Sequence, residues 1–218
     1  MDRINKPVGF CLLGPSLGEL DSAIEHFRDI DMFWISLSYF WVAEKILKRI
    51  GKQLDEIYEI PYDDLVTPML PDLIASGRKI IQGGEMVEED GSVFEENGPG
   101  GEEGYPSFYF ILKLLKSRGA NQVFLFGANG FAASLGQTYY NQKDISYIPS
   151  YASGGVNQDA DRFNKLVEKH KPYKDMDIYN CCLESKYTPF PIINVYEAIE
   201  LLTAPLSIYD SVPKEANA

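Results

Sequence analysis

Val8-Gly9-Phe10-Cys11-Leu12-Leu13-Gly14-Pro15-Ser16-Leu17 decides the fold class of this chain. Val8 to Leu13 is a short apolar run, and Gly14-Pro15-Ser16 ends it. A helical pattern from about Leu17 to Arg28 follows, so the segment reads as strand, tight turn, helix. The same alternation continues outward. Met32 to Ser36 is a second apolar run, followed by a helical pattern from Phe40 to Ile50 that stops near Gly51. Leu54 to Ile60 alternates as a third strand, Tyr62 to Ala75 reads as one short helix with turns, and Lys79 to Gln82 as a fourth strand.

Gly83 to Gly104 breaks the pattern. It is rich in glycine and carboxylates, which predicts a mobile acidic loop. Order returns with a helix from Ser107 to about Arg118, Ser107 serving as N-cap and Gly119 as the stop. Gln122 to Phe126 is apolar throughout the run Val123-Phe124-Leu125-Phe126, as a strand buried on both faces requires. A polar and aromatic loop from Gly127 to Val156 precedes a charged helix, Gln158 to His170. Asp177 to Cys181 is the last strand and Ile193 to Leu202 the last helix. Strands alternating with helices imply an α/β fold: a Rossmann-like open, mostly parallel sheet with helices on both faces. The expected organisation is a single domain over residues 1–205 and a C-terminal tail over 206–218. Val8–Leu13 and Gln122–Phe126 are expected inside the sheet.

In such sheets ligands bind at the carboxyl ends of the strands. Gly14-Pro15-Ser16-Leu17, the loop up to Ser107, Gly127-Ala128-Asn129-Gly130 and Asn180 to Pro191 all reach that edge. Ser16 is placed to cap the first helix, whose exposed N–H groups would hold a phosphate. Ser107 serves in the same way, and Asn129 offers a donor and an acceptor to a ribose or base. No GxGxxG and no Gly-Lys-Ser/Thr is present. His26 and His170 read as surface residues. Tyr139, Tyr140, Tyr147 and Tyr151 crowd the loop after the central strand, where their hydroxyls could bind phosphate or carry a proton.

Composition bounds the function. With 218 residues, 20 Lys plus Arg and 32 Asp plus Glu, the formal charge is −12. A chain this acidic is a poor sequence-independent nucleic-acid binder and a poor partner for anionic lipid. No apolar window is long enough for a membrane span, and the N-terminus lacks a signal-peptide core. Cys11, Cys181 and Cys182 form no disulfide framework and no zinc spacing, and Cys11 reads as a buried small hydrophobe. The expectation is a reduced, soluble, cytoplasmic protein with no metal site. Homo-oligomerisation is compatible with all of this.

Four segments together resemble a known family. They are the strand running into Gly14-Pro15-Ser16-Leu17, Ser107 twelve residues before Gly119, the strand and turn Val123 to Asn129, and Tyr179-Asn180-Cys181 leading to Pro189-Phe190-Pro191. In that order they look like the Campylobacter-type bacterial sialyltransferases. They also look like the related uncharacterised-domain group with the Maf flagellin-modifying proteins and the archaeal hydroxymethylpterin pyrophosphokinase. The resemblance implies a metal-independent transferase that binds a cytidine nucleotide. It implies that Gly14, Pro15 and Ser16 face the nucleotide phosphate or ribose, with Ser107 beside the nucleotide. Asn129 would take the place of an acidic residue near the cytidine, and Tyr139 or Tyr140 that of phosphate-binding tyrosines. The family's catalytic histidine follows a Tyr-Ile-Gly pattern. Tyr147-Ile148-Pro149-Ser150 is the match here, so Ser150 holds the histidine position. Leu12-Leu13 also stand where the family has an asparagine before Gly-Pro-Ser.

The function so implied is a nucleotide-dependent, glycosyltransferase-like transferase acting on a surface polysaccharide. Its partner is a nucleotide or nucleotide-sugar, and it has no organic cofactor. Two alternatives stay open: a pyrophosphokinase-like enzyme using ATP and a divalent metal, and a non-catalytic member that binds a nucleotide or a partner protein.

Overall fold

The computed structural model describes residues 2–12, 14–37, 40–59, 79–82, 107–129, 155–171 and 173–204. Its strands are β1 (Val8–Cys11), β2 (Phe33–Leu37), β3 (Glu56–Glu59), β4 (Lys79–Gln82), β5 (Gln122–Phe126) and β6 (Asp177–Asn180). Its helices are α1 (Leu17–Ala23), α2 (Trp41–Lys48), α3 (Ser107–Ser117), α4 (Gly155–His170) and α5 (Val195–Thr203). The six strands form one sheet in the order β4-β3-β2-β1-β5-β6, and every pairing is parallel. The expected Rossmann-like α/β sheet is therefore present. β1 and β5 lie side by side within it, in the register Val8↔Val123 to Cys11↔Phe126.

Side chains alternate across the sheet and supply two cores. Val8, Phe10, Val123, Leu125 and Ile178 point to one face, where α3 and α4 cover them with Phe108, Ile111, Leu112 and Phe163. Cys11, Trp34, Ile57, Phe124 and Phe126 point to the other, under Leu17 and Leu20 of α1, Ile46 and Leu47 of α2, and Ala198 of α5. α1 and α2 thus lie on one face and α3 and α4 on the other, the arrangement that right-handed crossovers generate when strand order reverses. Gly9 is the flat spot in the second core. A Cβ there would stand 2.4 Å from a ring carbon of Trp34. The indole lies on bare backbone and meets Phe27 edge-on at 5.8 Å.

The amino edge of the sheet is clamped by charge. Glu56, the first residue of β3, is 1% exposed. Arg118, just past α3, reaches it with two prongs: Nη1 to Oε2 at 2.5 Å and Nη2 to Oε1 at 2.8 Å. The Tyr58 hydroxyl donates to Oε2 at 2.9 Å and accepts from Arg118 Nη1 at 2.9 Å. Lys79, opening β4, adds Nζ to Oε1 at 2.6 Å. Burial pushes the Glu56 carboxyl up, but the hydrogen bonds from Arg118 and Lys79 outweigh it and hold it below its ordinary value.

The local expectations need two corrections. The helix starting at Leu17 does not run on to Arg28: it is α-helical to Ala23 and tightens to a 3-10 turn over Ile24–Phe27. Ser22 Oγ bonds back to the Gly18 carbonyl at 2.8 Å, a contact that bends helices. Ser16 does not cap it either, because no side-chain bond from Ser16 reaches the first turn. α5, by contrast, has a full capping box, in which Asn194 Oδ1 accepts from Tyr196 and Glu197 and Glu197 accepts from the Asn194 N–H. The segments 62–75 and 83–104 and the tail 206–218 lie outside the described residues.

Candidate functional site

The sheet reverses direction at β1. β2, β3 and β4 lie to one side of it, and β5 and β6 to the other. The carboxyl edge beside β1 and β5 is thus a topological switch point, the place where open α/β sheets bind their ligands. The two turns leaving these strands are bonded to each other. Leu12 N–H donates to the Phe126 carbonyl at 2.7 Å, and Gly14 N–H to the Gly127 carbonyl at 2.9 Å. Two glycines make that approach feasible. Gly127 has φ +76°, and a Cβ on it would lie 2.1 Å from the Leu12 carbonyl oxygen. A Cβ on Gly14 would lie 2.3 Å from the Gly127 oxygen and 2.5 Å from Asn129 Oδ1.

Asn129 joins the turns. Its Oδ1 accepts from the Ser16 N–H at 2.9 Å and from the Ser16 hydroxyl at 2.7 Å. The hydroxyl that local sequence assigned to a helix cap thus goes to a residue 113 positions away. The other amides of the turn are engaged too: Leu17 N–H on the Gly14 carbonyl, Gly18 N–H on Pro15, and Glu19 N–H on Ser16. The open amides expected to hold a phosphate are closed by the turn itself and by Asn129. Gly14, Pro15, Ser16 and Asn129 are brought together. Ser107 opens α3 on the other face of the sheet, and Tyr139, Tyr140 and Ser150 lie outside the described residues.

The segment after β6 is bonded to the turn after β5. The Asn129 carbonyl accepts from the Lys186 N–H at 2.8 Å. Asn180, fully buried, donates to Ser185 Oγ at 2.7 Å and to the Ala128 carbonyl at 3.3 Å, and Ser185 Oγ donates to the same carbonyl at 2.5 Å. Among the described residues Asn180 Oδ1 has no partner. The Ser16 hydroxyl also reaches the Cys182 thiol. Burial pushes that thiol up, and its contacts with Ser16 Oγ and with the Glu184 N–H only partly oppose it. Glu19, in the first turn of α1, has its carboxyl raised by burial first and by the Glu184 charge second. Glu19, Cys182, Ser185 and Lys186 were not singled out from sequence. Their only signal was their place on the segments that reach the carboxyl edge. The site offers a hydroxyl, a carboxamide and a carboxyl pushed up by burial. His26 is exposed on the 3-10 turn, where its ring meets Tyr196 edge-on at 5.8 Å.

Among solved structures, the chain resembles a tyrosine-to-phenylalanine variant of the sialyltransferase CST-II in complex with CMP. The TM-score is 0.51 at 16% sequence identity, over 86% of each chain. The chain has a sialyltransferase-like fold. No family model and no curated protein matches the sequence. Among the described residues no helix is long and apolar enough to cross a membrane.

Proposed function

We propose that this protein is a nucleotide-dependent transferase of the glycosyltransferase kind, taking a nucleotide-sugar at the switch point beside the carboxyl ends of β1 and β5. The observation that carries the reading is the bridge from Ser16 to Asn129 across the switch point. It stands in a fold shared with a CMP-bound sialyltransferase. The ribose or base meets Asn129 and Ser16, and the nucleotide phosphate lies toward Lys186 and the turn after β6. Tyr139 and Tyr140 are the proposed phosphate ligands, and Ser107 flanks the nucleotide from α3. Catalysis is by positioning and leaving-group stabilisation. Ser150 cannot serve as the base that a histidine would be, and Glu19, whose carboxyl burial and the Glu184 charge push up, is the carboxyl beside this site for donation to a leaving group.

Calorimetric titration with CMP, with ATP plus magnesium and with GTP tests this. Binding of CMP in preference to the others, weakened about tenfold or more in Asn129→Ala, is the expected result, since a lost hydrogen bond to a charged or buried group is worth about 1.5–3 kcal/mol. Preference for ATP plus magnesium would reassign the protein to phosphoryl transfer. A second reading, a nucleotide-binding member without transfer chemistry, draws on Ser150 in the histidine position. CMP binding without CMP-sugar turnover is its signature.

A further inference from the structure

A cavity of about 360 Å³ opens at the outer edge of the sheet, beyond β6 and away from the switch point. Its walls come from the end of α4, the turn after it, β6 and the strap Pro189-Phe190-Pro191. Val167, Tyr173, Met176, Ile178 and Phe190 give it an apolar floor, and each is less than a tenth exposed. Lys171, Lys174 and Asp177 stand at its rim. Asp175, next to them, is turned to Lys116 at 3.7 Å. Lys171 and Lys174 have no carboxylate partner among the described residues, so the rim carries two cations against one anion. The volume and the lining fit a small ligand with an apolar body and a few fixed polar contacts.

Two backbone features point the same way. Asn180 turns its N–H and carbonyl outward, to Pro191 and Ile193. Asp177 and Cys181 send their N–H groups inward to Asn121 and Leu125, so alternation along the strand turns the N–H and carbonyl of Ile178, a lining residue, to the same outer side as those of Asn180. Lys171 has φ +45°, and its N–H bonds the Val167 carbonyl at 2.8 Å. This is the left-handed residue that ends α4, a position where glycine is the favoured residue. The chain keeps a lysine there at a conformational cost, and that lysine faces the cavity mouth.

We infer that the cavity beyond β6 is a binding site for a small amphiphilic anion, an aromatic or branched apolar group bearing a carboxylate, sulfonate or phosphate. The apolar body lies on Met176, Ile178 and Phe190, and the anion lies between Lys171 and Lys174. The site is independent of the switch point and of the function proposed for it.

The test uses 1-anilinonaphthalene-8-sulfonate and its uncharged parent, 1-anilinonaphthalene, on the full chain. The sulfonate is expected to bind saturably at one site and to shift the Met176 methyl resonance while leaving that of Met32, in the opposite core, unmoved. Lys171→Gly and Lys174→Ala together should weaken it about tenfold, the loss of two charge-assisted contacts. Lys171→Gly alone should raise the melting temperature while lowering sulfonate affinity, opposite signs that a merely structural lysine would not give. Equal binding of the charged and uncharged probes, a Met176 resonance that does not move, or full affinity in the double variant overturns the assignment.

Discussion

Glu56→Gln tests the clamp at the amino edge of the sheet. The substitution keeps the shape of the side chain and removes its charge. The Arg118 side chain is 4% exposed and the Glu56 side chain 1%, so the guanidinium is left in the interior without a counter-charge. One glutamine prong also turns a donor toward an arginine donor. Breaking a buried pair from one side costs about 3–5 kcal/mol. The Lys79 contact adds little, since its side chain is 41% exposed and such pairs contribute about 0–1 kcal/mol. The expected loss is therefore about 3–5 kcal/mol, a large part of the ~5–15 kcal/mol that holds a domain together. Urea unfolding followed by circular dichroism reads it as a lower midpoint at an unchanged slope. The pH dependence has a definite sign. Arg118 and Lys79 hold Glu56 below its ordinary value of 4.5 against burial. The stability it contributes is fully present above that value and is lost as pH falls below it. Glu56→Gln should therefore flatten the acid limb of the stability profile. The triple change Glu56→Leu, Tyr58→Phe, Arg118→Met should recover most of the loss, because no buried charge then remains. A loss under about 1 kcal/mol for Glu56→Gln, with the acid limb intact, would falsify the reasoning.

Gly14→Ala should lower stability by about 1–3 kcal/mol, because its Cβ would meet the Gly127 oxygen and Asn129 Oδ1. A wild-type melting temperature would show that the two turns separate freely. Gly127→Ala should cost more, since a left-handed φ of +76° adds about 1–2 kcal/mol to a clash with backbone. Equal costs for the two glycine variants in urea unfolding would count against this. Ser16→Ala should cost about 1 kcal/mol through the lost bond to Asn129 and nothing through the helix end, which its side chain does not cap. Hydrogen exchange separates the two, with the Ser16 amide and its surroundings losing protection while the α1 amides keep theirs.

The sheet was legible wherever burial was continuous. Val8 to Cys11 and Val123 to Phe126 are apolar because they have a strand on each side and helices on both faces, the placement that such runs suit best. Strand order was not legible, since nothing in Gln122-Val123-Phe124-Leu125-Phe126 says that it pairs with β1 rather than with β4. Local rules read Ser16 as a cap because they see only the next four residues. Its actual partner is Asn129, and that pairing exists only once β1 and β5 are adjacent. The Glu56–Arg118 pair spans 62 residues and was hidden for the same reason. Gly14, Pro15, Ser16 and Asn129 were found because turn chemistry and the carboxyl-edge rule act locally. Glu19 and Lys186 were missed because a single charged residue on a turn carries no pattern of its own.

All three thiols are sealed: Cys11 at 0% exposure, Cys181 and Cys182 at 1% each. Burial pushes each of them up, so none offers a ready thiolate in the native state. Alkylation therefore waits for the chain to open, and the three sulfurs time different openings. Cys11 sits on β1 with a strand bonded on either side, so it is labelled only when the sheet itself comes apart. Cys182 lies past β6, held by Ser16 and by the Glu184 N–H, and is labelled when the segment after β6 opens. An occupant of the switch point would slow the Cys182 clock and leave that of Cys11 running at its own rate, which makes the ratio of the two labelling rates a built-in gauge of occupancy.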